Sequence, residues 1–304
     1  MAHNSQPSHE KILNERITPQ AGSLAILMAI LWGGNNIAIK FGLAGVSPFA
    51  LAGIRFIIGS FIVLIWVFLT KVSVRLEIGE GRGLAKLGFI FVAQICLLNL
   101  GVYHTLAGRS TVIISTHPFF IALFAHLLIP GDRLSQLKII GMGLSFLGVV
   151  LVFAESIAIK EFRYLLGDVM VLISGILLGL RLVYVKRLTQ GIHPAKLLLW
   201  QAAFSIPAFF ILSFIFESNI PYQLTTGVVL GILYQGVVIA GFAFIIYTRL
   251  LQRYIASRVG VFHFLTPVFG ILFSNLLLGE ELSFGLIASM MLVGAGITIV
   301  NYES

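Results

Sequence analysis

Long apolar runs alternate along the chain with short polar segments and with turns that contain glycine or proline. Ten of these runs are close to or longer than the roughly 20 residues of helix that cross the hydrocarbon core of a bilayer. They cover residues 21–43, 48–70, 84–106, 110–129, 135–154, 165–188, 194–216, 225–248, 256–278 and 284–301. The pattern predicts an all-α integral membrane protein with ten transmembrane helices.

The composition agrees with this prediction. Of the 304 residues, 58% are hydrophobic and 11% are charged, whereas soluble domains carry about 25% charged residues. This excludes a soluble globular enzyme, because a soluble chain of this size needs a polar shell. Cys96 is the only cysteine, which excludes a disulfide framework and a multi-thiolate metal site. We expect no metal ion and no cofactor.

The basic residues lie mainly in alternate loops. If the N-terminus is inside, fourteen lysines and arginines fall in inside segments and four in outside segments. The positive-inside rule then predicts that the polar tail, residues 1–20, and the C-terminus are both cytoplasmic. The run at 21–43 lacks a small-residue cleavage site at its end, so we expect a retained span. The net charge of +8 therefore indicates orientation, and no nucleic-acid partner is expected.

The sequence contains an internal repeat. Residues 107–128 align without gaps to residues 256–277, with nine of 22 positions identical, including the pairs Arg109/Arg258 and Pro118/Pro267. A weaker correspondence at an offset of 146 pairs three further positions: Gly33/Gly179, Lys40/Lys186 and Pro48/Pro194. The repeat unit is then five spans, at 21–154 and 165–301. An odd number of spans predicts two inverted repeats, the architecture of many secondary transporters.

Four segments carry a resemblance to a known family: WGGNNIAIK (32–40), PFALAGIRF (48–56), HPFFIALFAHLL (117–128) and ASRVGVFHFLTPVFGILFSNLLLGEELS (256–283). Together they resemble the EamA-type branch of the drug/metabolite transporter superfamily over nearly the whole chain. The resemblance implies a ten-helix permease of the cell inner membrane that exports amino acids or related small metabolites. The chain departs from the family pattern at Ser-Thr-His before Pro118 and at Pro-Gly-Asp-Arg in the following loop, and the first departure directs attention to His117.

Charged and amide side chains at membrane depth are costly, so each is a candidate for the transport pathway. Arg55 lies about seven residues into the second span, roughly 10 Å deep. It could bind a substrate carboxylate or hold carbonyl groups of a neighbouring helix. Asn35 and Asn36 follow Trp32 near the middle of the first span. They need hydrogen-bond partners, which a polar cavity or a close interhelical contact would supply.

Two prolines lie beside histidines in the fourth and ninth spans. Pro118 follows His117, and Pro267 comes four residues after His263. A proline within a helix frees the carbonyl four residues back and can kink the helix. Such a carbonyl persists at mid-membrane only inside protein or beside a watery cavity. We expect the two kinks to flank the pathway and to bring both histidines to it, unless the imidazoles are bonded structural groups.

Other polar residues complete the predicted site. The remaining cavity candidates are Gln94, Asn99, Tyr184, Tyr234 and Gln235. Tyr103 and Tyr247 lie near span ends and are predicted to be interface anchors or gates. Arg181 lies near the inner end of the sixth span and is expected to snorkel to the interface. We expect a central cavity lined by spans 1, 3, 4, 6, 8 and 9.

The positions of the acidic residues indicate how transport is driven. No aspartate or glutamate falls in the middle of a predicted span, although proton-coupled carriers commonly use an intramembrane carboxylate. Facilitated diffusion down an outward gradient is therefore expected, with histidine-based proton coupling as the alternative. Motifs for ATP binding, zinc hydrolysis and a serine nucleophile are missing from the sequence, and we expect no enzyme.

Two other functions stay open at this point. One is a nucleotide-sugar or sugar-phosphate carrier of the same superfamily, which would need several basic residues in its cavity. The other is a non-transporting membrane receptor or an enzyme that acts on lipid head groups. The expected partners are a small-molecule substrate and the lipid bilayer, with the protein a monomer or a homodimer.

Overall fold

A computed structural model describes residue 15 and residues 17–129, 135–158, 162–218, 220–254, 259 and 261–302. Apart from one isolated bridge between Glu15 and Tyr254, the regular structure within these ranges is helical. The helices of the first half are α1 (Pro19–Leu43), α2 (Pro48–Thr70), α3 (Glu80–His104), α4 (Ala107–Ile114), α5 (His117–Leu128) and α6 (Gln136–Ala158).

The second half follows the same plan. Its helices are α7 (Phe162–Leu188), α8 (Pro194–Glu217), α9 (Thr226–Leu233), a π-helical segment (Tyr234–Ala243), α10 (Phe244–Arg253), a 3₁₀ turn (Val261–Phe264), α11 (Leu265–Leu278) and α12 (Phe284–Tyr302). Helices α2 and α8 begin at Pro48 and Pro194, the prolines paired in the repeat. Proline suits this position because its fixed φ fits the first helical turn, where the missing N–H costs nothing.

The described helices agree with the predicted spans. Seven segments are long and apolar enough to cross a membrane, among them Ala107–Leu128, which joins α4 and α5, and Thr226–Arg253, which joins α9 to α10. Three shorter apolar stretches accompany them, at Ile139–Val152, Leu265–Leu278 and Phe284–Gly296. The prediction of an all-α membrane protein is confirmed.

Among the described residues, three spans are not continuous α-helices. The ninth contains the 3₁₀ turn Val261–Phe264, which directly precedes α11 and Pro267. The fourth span is interrupted at Ser115 and Thr116, directly before Pro118. The carbonyl of Ile114, which this proline leaves without its helical donor, accepts a hydrogen bond from Nδ1 of His117 at 2.9 Å. The eighth span contains the ten-residue π segment Tyr234–Ala243, which the sequence pattern did not predict. Such segments are rare and are found often at functional sites.

Hydrogen bonds connect the helix ends at two opposite faces. At the face where α1 and α8 begin, here called the N-terminal face, Trp200 Nε1 donates to the carbonyl of Val74 at 2.8 Å. At the face where α2 and α4 begin, here called the distal face, the backbone N–H of Gln223 donates to the carbonyl of Gly45 at 2.8 Å. The two halves therefore contact each other at both faces.

Within the bundle, each half also makes an equivalent helix contact with the other half. Gly33 of α1 lies so close to α11 that a Cβ there would be 2.8 Å from Cβ of Phe269. Gly179 of α7 lies even closer to α5, and a Cβ there would be 2.5 Å from Cβ of Phe120. Small residues allow this approach of helix backbones in membranes. Both pairs match across the predicted repeat, so the first helix of each half packs against the fourth span of the other.

Large apolar side chains cover the outside of the bundle. Phe68 is 83% exposed and Phe214 is 79% exposed, and many leucines and isoleucines share this outward position. In water such a surface would be an aggregation hazard. In a bilayer it is the surface that contacts lipid.

Candidate substrate cavity

A central cavity of about 90 Å³ lies between the two halves. A cavity needs about 10–15 Å³ to hold one water, so this space can hold several. The wall receives side chains from both halves, including Trp32 and His117 from the first and Arg181 and His263 from the second. Spans 2 and 7 contribute in addition to the six predicted spans, through Arg55 and Gln201 among others.

The structure brings eight of the eleven predicted cavity residues together. They are Trp32, Asn35, Asn36, Arg55, Gln94, His117, Gln235 and His263. Seven of these carry polar side chains that are no more than 8% exposed. The polar residues that stand out in otherwise apolar spans thus converge on one space.

Three predicted cavity residues lie elsewhere. Asn99 is fully buried, and its side-chain amide donates to the carbonyl of Pro48 at 2.8 Å. The hydroxyl of Tyr234 donates to the carbonyl of Leu31 at 2.7 Å, and Tyr184 packs partly buried against an apolar cluster. These three side chains contact neighbouring helices and do not line the cavity.

The two tyrosines expected at the interface differ from each other. Tyr103 is 43% exposed at the distal end of α3, with its ring beside His104. Tyr247 is only 5% exposed and lines the cavity, so the interpretation of Tyr247 as an interface anchor is wrong. Its ring lies within a cluster of aromatic and imidazole rings, which holds it inside the bundle.

That ring cluster joins both halves on the cavity wall. The ring centroids of Trp32 and Tyr247 are 4.9 Å apart, and those of Trp32 and His263 are 5.3 Å apart. The imidazoles of His117 and His263 meet edge to face with centroids 4.9 Å apart. The histidines expected beside the two prolines are therefore in direct contact with each other, one from each half.

Arg55 is held on one side and unpaired on the other. Its Nη1 donates to Oε1 of Gln235 at 3.1 Å, and Nε2 of Gln235 donates in turn to the carbonyl of Ala38 at 2.9 Å. Its guanidinium carbon lies 4.8 Å from the ring centroid of Phe56. Nε and Nη2 of Arg55 have no hydrogen-bond partner among the described residues. These two atoms form the edge of a guanidinium that can grip a carboxylate with two parallel bonds.

Arg181 does not snorkel. Its side chain is on the cavity wall and the residue is 7% exposed. The guanidinium carbon lies 4.9 Å from the ring centroid of Phe91 and 5.5 Å from that of Phe244. Within the described residues it makes no ion pair with a carboxylate. The expectation was wrong because packing against α3 and α10 directs the side chain inward, although its position along α7 would allow an outward path.

Besides Arg181 and Tyr247, four polar wall residues were not predicted to lie in the cavity. They are Ser115, Gln201, Thr248 and Thr266. Gln201 could have been predicted from the sequence, because an amide seven residues into α8 is as costly at membrane depth as Gln94 is in α3. The three hydroxyl residues could not have been predicted in this way, since serine and threonine can donate hydrogen bonds to carbonyls of their own helix.

The cavity wall concentrates unsatisfied polar atoms. Nine buried side-chain nitrogen and oxygen atoms on eight wall residues have no hydrogen-bond partner in the described part of the chain. They include the amide oxygens of Asn35, Gln94 and Gln201 and the hydroxyl of Tyr247. Buried polar atoms are nearly always paired in folded proteins. This wall can therefore form hydrogen bonds with waters or with the polar groups of a ligand.

The buried carboxylates lie at the distal face and not in the cavity. Glu217 at the end of α8 accepts three hydrogen bonds from the start of α2, from Ser47 Oγ at 2.7 Å and from the backbone N–H groups of Phe49 at 2.9 Å and Ala50 at 3.1 Å. A carboxylate is favourable there because a helix N-terminus presents unpaired N–H groups and a partial positive charge.

Two similar contacts accompany Glu217 at the same face. Glu280 accepts the backbone N–H groups of Ala107 and Gly108 at the start of α4, both at 2.8 Å. Arg109 forms a buried ion pair with Asp168 at 2.9 Å and also donates to the carbonyl of Val152. All three carboxylates belong to the second half and bind the first half. We call Glu217, Glu280 and Asp168 the distal carboxylates.

A bundle of apolar helices around an inter-half polar cavity is the architecture of a membrane transporter. The chain belongs to the EamA-like transporter family, which it matches over residues 20–154 and 165–302. It is a multi-pass membrane protein, as its helices indicate.

Curated relatives and a solved structure agree with this assignment. The chain is 28% identical to a probable amino-acid metabolite efflux pump of Escherichia coli, over 86% of this chain and 88% of that protein. It is 29% identical to a protein of the same description from Salmonella typhimurium, over 91% and 93% of the two chains. A crystal structure at 18% identity covers 93% of this chain and 96% of its own with a TM-score of 0.70, which shows the shared fold.

Proposed function

We propose that the protein is a secondary transporter that exports amino acids or related small metabolites across the cell inner membrane. Its two inverted five-helix halves, residues 21–154 and 165–301, exchange access to the cavity between the two sides, and both termini are cytoplasmic. The observation that carries this proposal is the polar cavity formed by both halves in the interior of an otherwise apolar bundle. The names of the two bacterial relatives support the direction of transport and the type of cargo.

The position of the cavity fits alternating access. In inverted-repeat transporters the substrate site lies near the midplane where the repeats meet. Here His117 and His263, which come from the fourth and ninth spans, meet at that place. The helix interruption before Pro118 and the π segment at Tyr234–Ala243 border the same space. Irregular backbone at membrane depth is tolerated where it is buried in protein or lines a cavity.

The contacts at the distal face support a conformation closed on that side. The distal carboxylates connect the second half to the starts of α2 and α4 and to Arg109. The cavity wall meanwhile extends toward the N-terminal face through Val185, Leu198 and Thr248. In the alternating-access cycle the distal contacts would break when the cavity opens to the other side.

The cavity favours downhill export over proton coupling. In the described residues its wall contains arginine, histidine, amide and hydroxyl groups but no aspartate or glutamate. An intramembrane carboxylate is the group that proton-coupled carriers commonly use. The contacting histidines are the titratable groups that would replace it if export were coupled to protons.

The charges of the cavity argue against the nucleotide-sugar alternative. That cargo would need several basic residues in the cavity, and the arginines and lysines on the described wall are Arg55 and Arg181. A smaller metabolite with one anionic group is a better match.

Efflux from preloaded proteoliposomes tests the proposal. The purified full-length protein is expected to release one class of labelled amino acids or related metabolites with saturable kinetics, while protein-free liposomes retain them. Arg75→Gln, a change at an exposed loop residue, serves as the matched control and is expected to transport like the wild type. Folded protein that releases no member of the panel would contradict the proposal and favour a receptor.

A further inference from the structure

The charges on the cavity wall define the cargo more narrowly. We infer that the cavity selects small organic acids that carry a carboxylate and no free ammonium group, in preference to zwitterionic amino acids. This inference rests on the proposed function, since it names the substrate class of the same cavity. It follows from two buried arginines, Arg55 and Arg181, that share the wall with no described acidic residue.

The free edge of Arg55 is the first observation. Gln235 occupies Nη1, and Gln235 is itself fixed by the carbonyls of Ala38 and Gly231 at 2.9 and 3.1 Å. The arginine is thereby oriented, with Nε and Nη2 left unpaired. Nε and Nη2 point the same way and can donate two parallel N–H bonds to the two oxygens of a carboxylate. A guanidinium is also the preferred cation for such planar recognition.

Arg181 supplies the second positive charge. Its guanidinium lies against the rings of Phe91 and Phe244, and its Nε has no hydrogen-bond partner among the described residues. The rings of Phe56, Phe91 and Phe244 contact one another, with centroid separations of 4.7 to 6.3 Å. Because Arg55 lies on Phe56, the two arginines flank one aromatic cluster. Ring faces attract cations but do not neutralise them.

An ammonium group finds no anionic partner among the described residues of this wall. Its anionic partner in proteins is a carboxylate, yet the described carboxylates nearest the bundle interior are the distal carboxylates, which are occupied by helix N-termini and by Arg109. The amide oxygens of Asn35, Gln94 and Gln201 are available acceptors, but they carry no net charge. An ammonium would add a third positive charge to a low-dielectric space, where like charges repel strongly.

The rest of the wall fits an apolar side group. Ile95, Leu98, Leu178 and Leu182 line the cavity beside the arginines. A cargo with one carboxylate and a short aliphatic or aromatic group would satisfy both parts of the wall. An amino-acid skeleton that has lost its amino group, or carries it acylated, has this chemistry. The amide oxygens of the wall would then accept a hydroxyl or an acylated N–H group.

Three compounds with the same carbon skeleton test the inference: 4-methyl-2-oxopentanoate, an anion; leucine, a zwitterion; and 4-methylpentanamide, which is neutral. Their dissociation constants are measured by isothermal titration calorimetry with the full-length protein in lipid nanodiscs. The anion is expected to bind at least about tenfold more tightly than leucine or the amide. Leucine that binds as tightly as the anion, or no binding of the anion to folded protein, would overturn the inference.

Variants of Arg181 separate recognition from folding. Arg181→Gln is expected to reduce the preference for the anion over leucine to about threefold or less, and Arg181→Lys, which keeps the charge, to retain more of it. Arg75→Gln is the control and should keep the full preference. The ratio of two affinities is compared within one preparation, so a partly unfolded variant does not imitate the effect. An unchanged ratio in Arg181→Gln would count against the inference.

Flux measured with the same compounds distinguishes this inference from the proposed function. Selective binding of the anion without release from liposomes would support the site and contradict the transporter. Release of leucine in preference to the anion would support the transporter and contradict the inferred selectivity.

Discussion

Replacing Arg55 with glutamine is expected to lower the initial rate of export at subsaturating cargo by roughly 30-fold or more. Truncating one member of a buried charge pair costs about 2 kcal/mol or more, and Arg55 has two unpaired donors, Nε and Nη2, that can bind a carboxylate. The change also releases Gln235 from its contact with Nη1. Efflux of 4-methyl-2-oxopentanoate from proteoliposomes measures the rate.

Two further variants control this experiment. Arg55→Lys keeps the charge but lacks the two-atom edge, so its rate should lie between those of Arg55→Gln and the wild type. Arg75→Gln repeats the same chemical change at an exposed position and should leave the rate unaltered. If Arg55→Gln transports at the wild-type rate, Arg55 is a structural residue and the cavity does not bind cargo through it.

Replacing Glu217 with glutamine is expected to lower the free energy of unfolding by about 2 kcal/mol or more. The carboxylate accepts three hydrogen bonds at the start of α2, at 2.7, 2.9 and 3.1 Å. Hydrogen bonds to a charged group contribute about 1.5–3 kcal/mol each. The amide of glutamine has one acceptor oxygen and turns an N–H group toward donors. Thermal unfolding in detergent, followed by circular dichroism, measures the loss as a lower midpoint.

The neighbouring acidic residue Glu281 provides the comparison for Glu217. It is exposed at the distal face, so Glu281→Gln should change the free energy of unfolding by no more than about 0.5 kcal/mol. Its unfolding midpoint should therefore stay close to that of the wild type. Glu217→Gln should in addition shift the protein toward the conformation open at the distal face, because it weakens a contact made only between the halves. Equal stability of the two variants would show that Glu217 does not hold the distal face closed.

Much of the fold could be predicted from the sequence because bilayer thickness imposes span length on the hydropathy pattern. The hydropathy pattern also identified Arg55, Asn36 and the two histidines, since a polar side chain inside a 20-residue apolar run is conspicuous. The proline rule predicted a kink in the fourth span beside Pro118, and the helix is interrupted at Ser115 and Thr116 directly before it. It also identified Ile114 as the carbonyl left without a helical donor, which His117 satisfies.

Position along a span did not reveal which way a side chain faces. Arg181 and Tyr247 both lie near the N-terminal face, so an outward path was open to each. The structure buries both, Tyr247 against Trp32 and His263 and Arg181 against Phe91. Direction around a helix is decided by packing with neighbouring spans, and hydropathy along one chain does not contain that information.

The other differences between the predicted and the observed structure have a similar cause. Asn99 and Tyr234 are polar groups at membrane depth, as the argument for cavity residues requires, yet each donates to a carbonyl of a neighbouring helix. The π segment at Tyr234–Ala243 leaves no mark in the spacing of apolar residues. The distal carboxylates were visible only as acidic residues at span ends, because their helix partners come from the other half of the chain.

Chemical closure of the cavity tests the central claim most directly, namely that cargo passes through the space between the halves. Thr266 lines the cavity, its hydroxyl is unpaired among the described residues, and it is 5% exposed. Thr266→Cys changes the side chain little and adds a thiol at that place. The wild type is the control, because its single cysteine, Cys96, is buried in an apolar cluster.

Export by Thr266→Cys is measured before and after treatment with a charged methanethiosulfonate reagent, and again after reduction. Mass spectrometry establishes that the introduced thiol has reacted. We expect treatment to stop export by Thr266→Cys, reductant to restore it, and the wild type to be unaffected throughout. Complete labelling of the introduced thiol, with export continuing at the untreated rate, would show that cargo does not pass through this cavity.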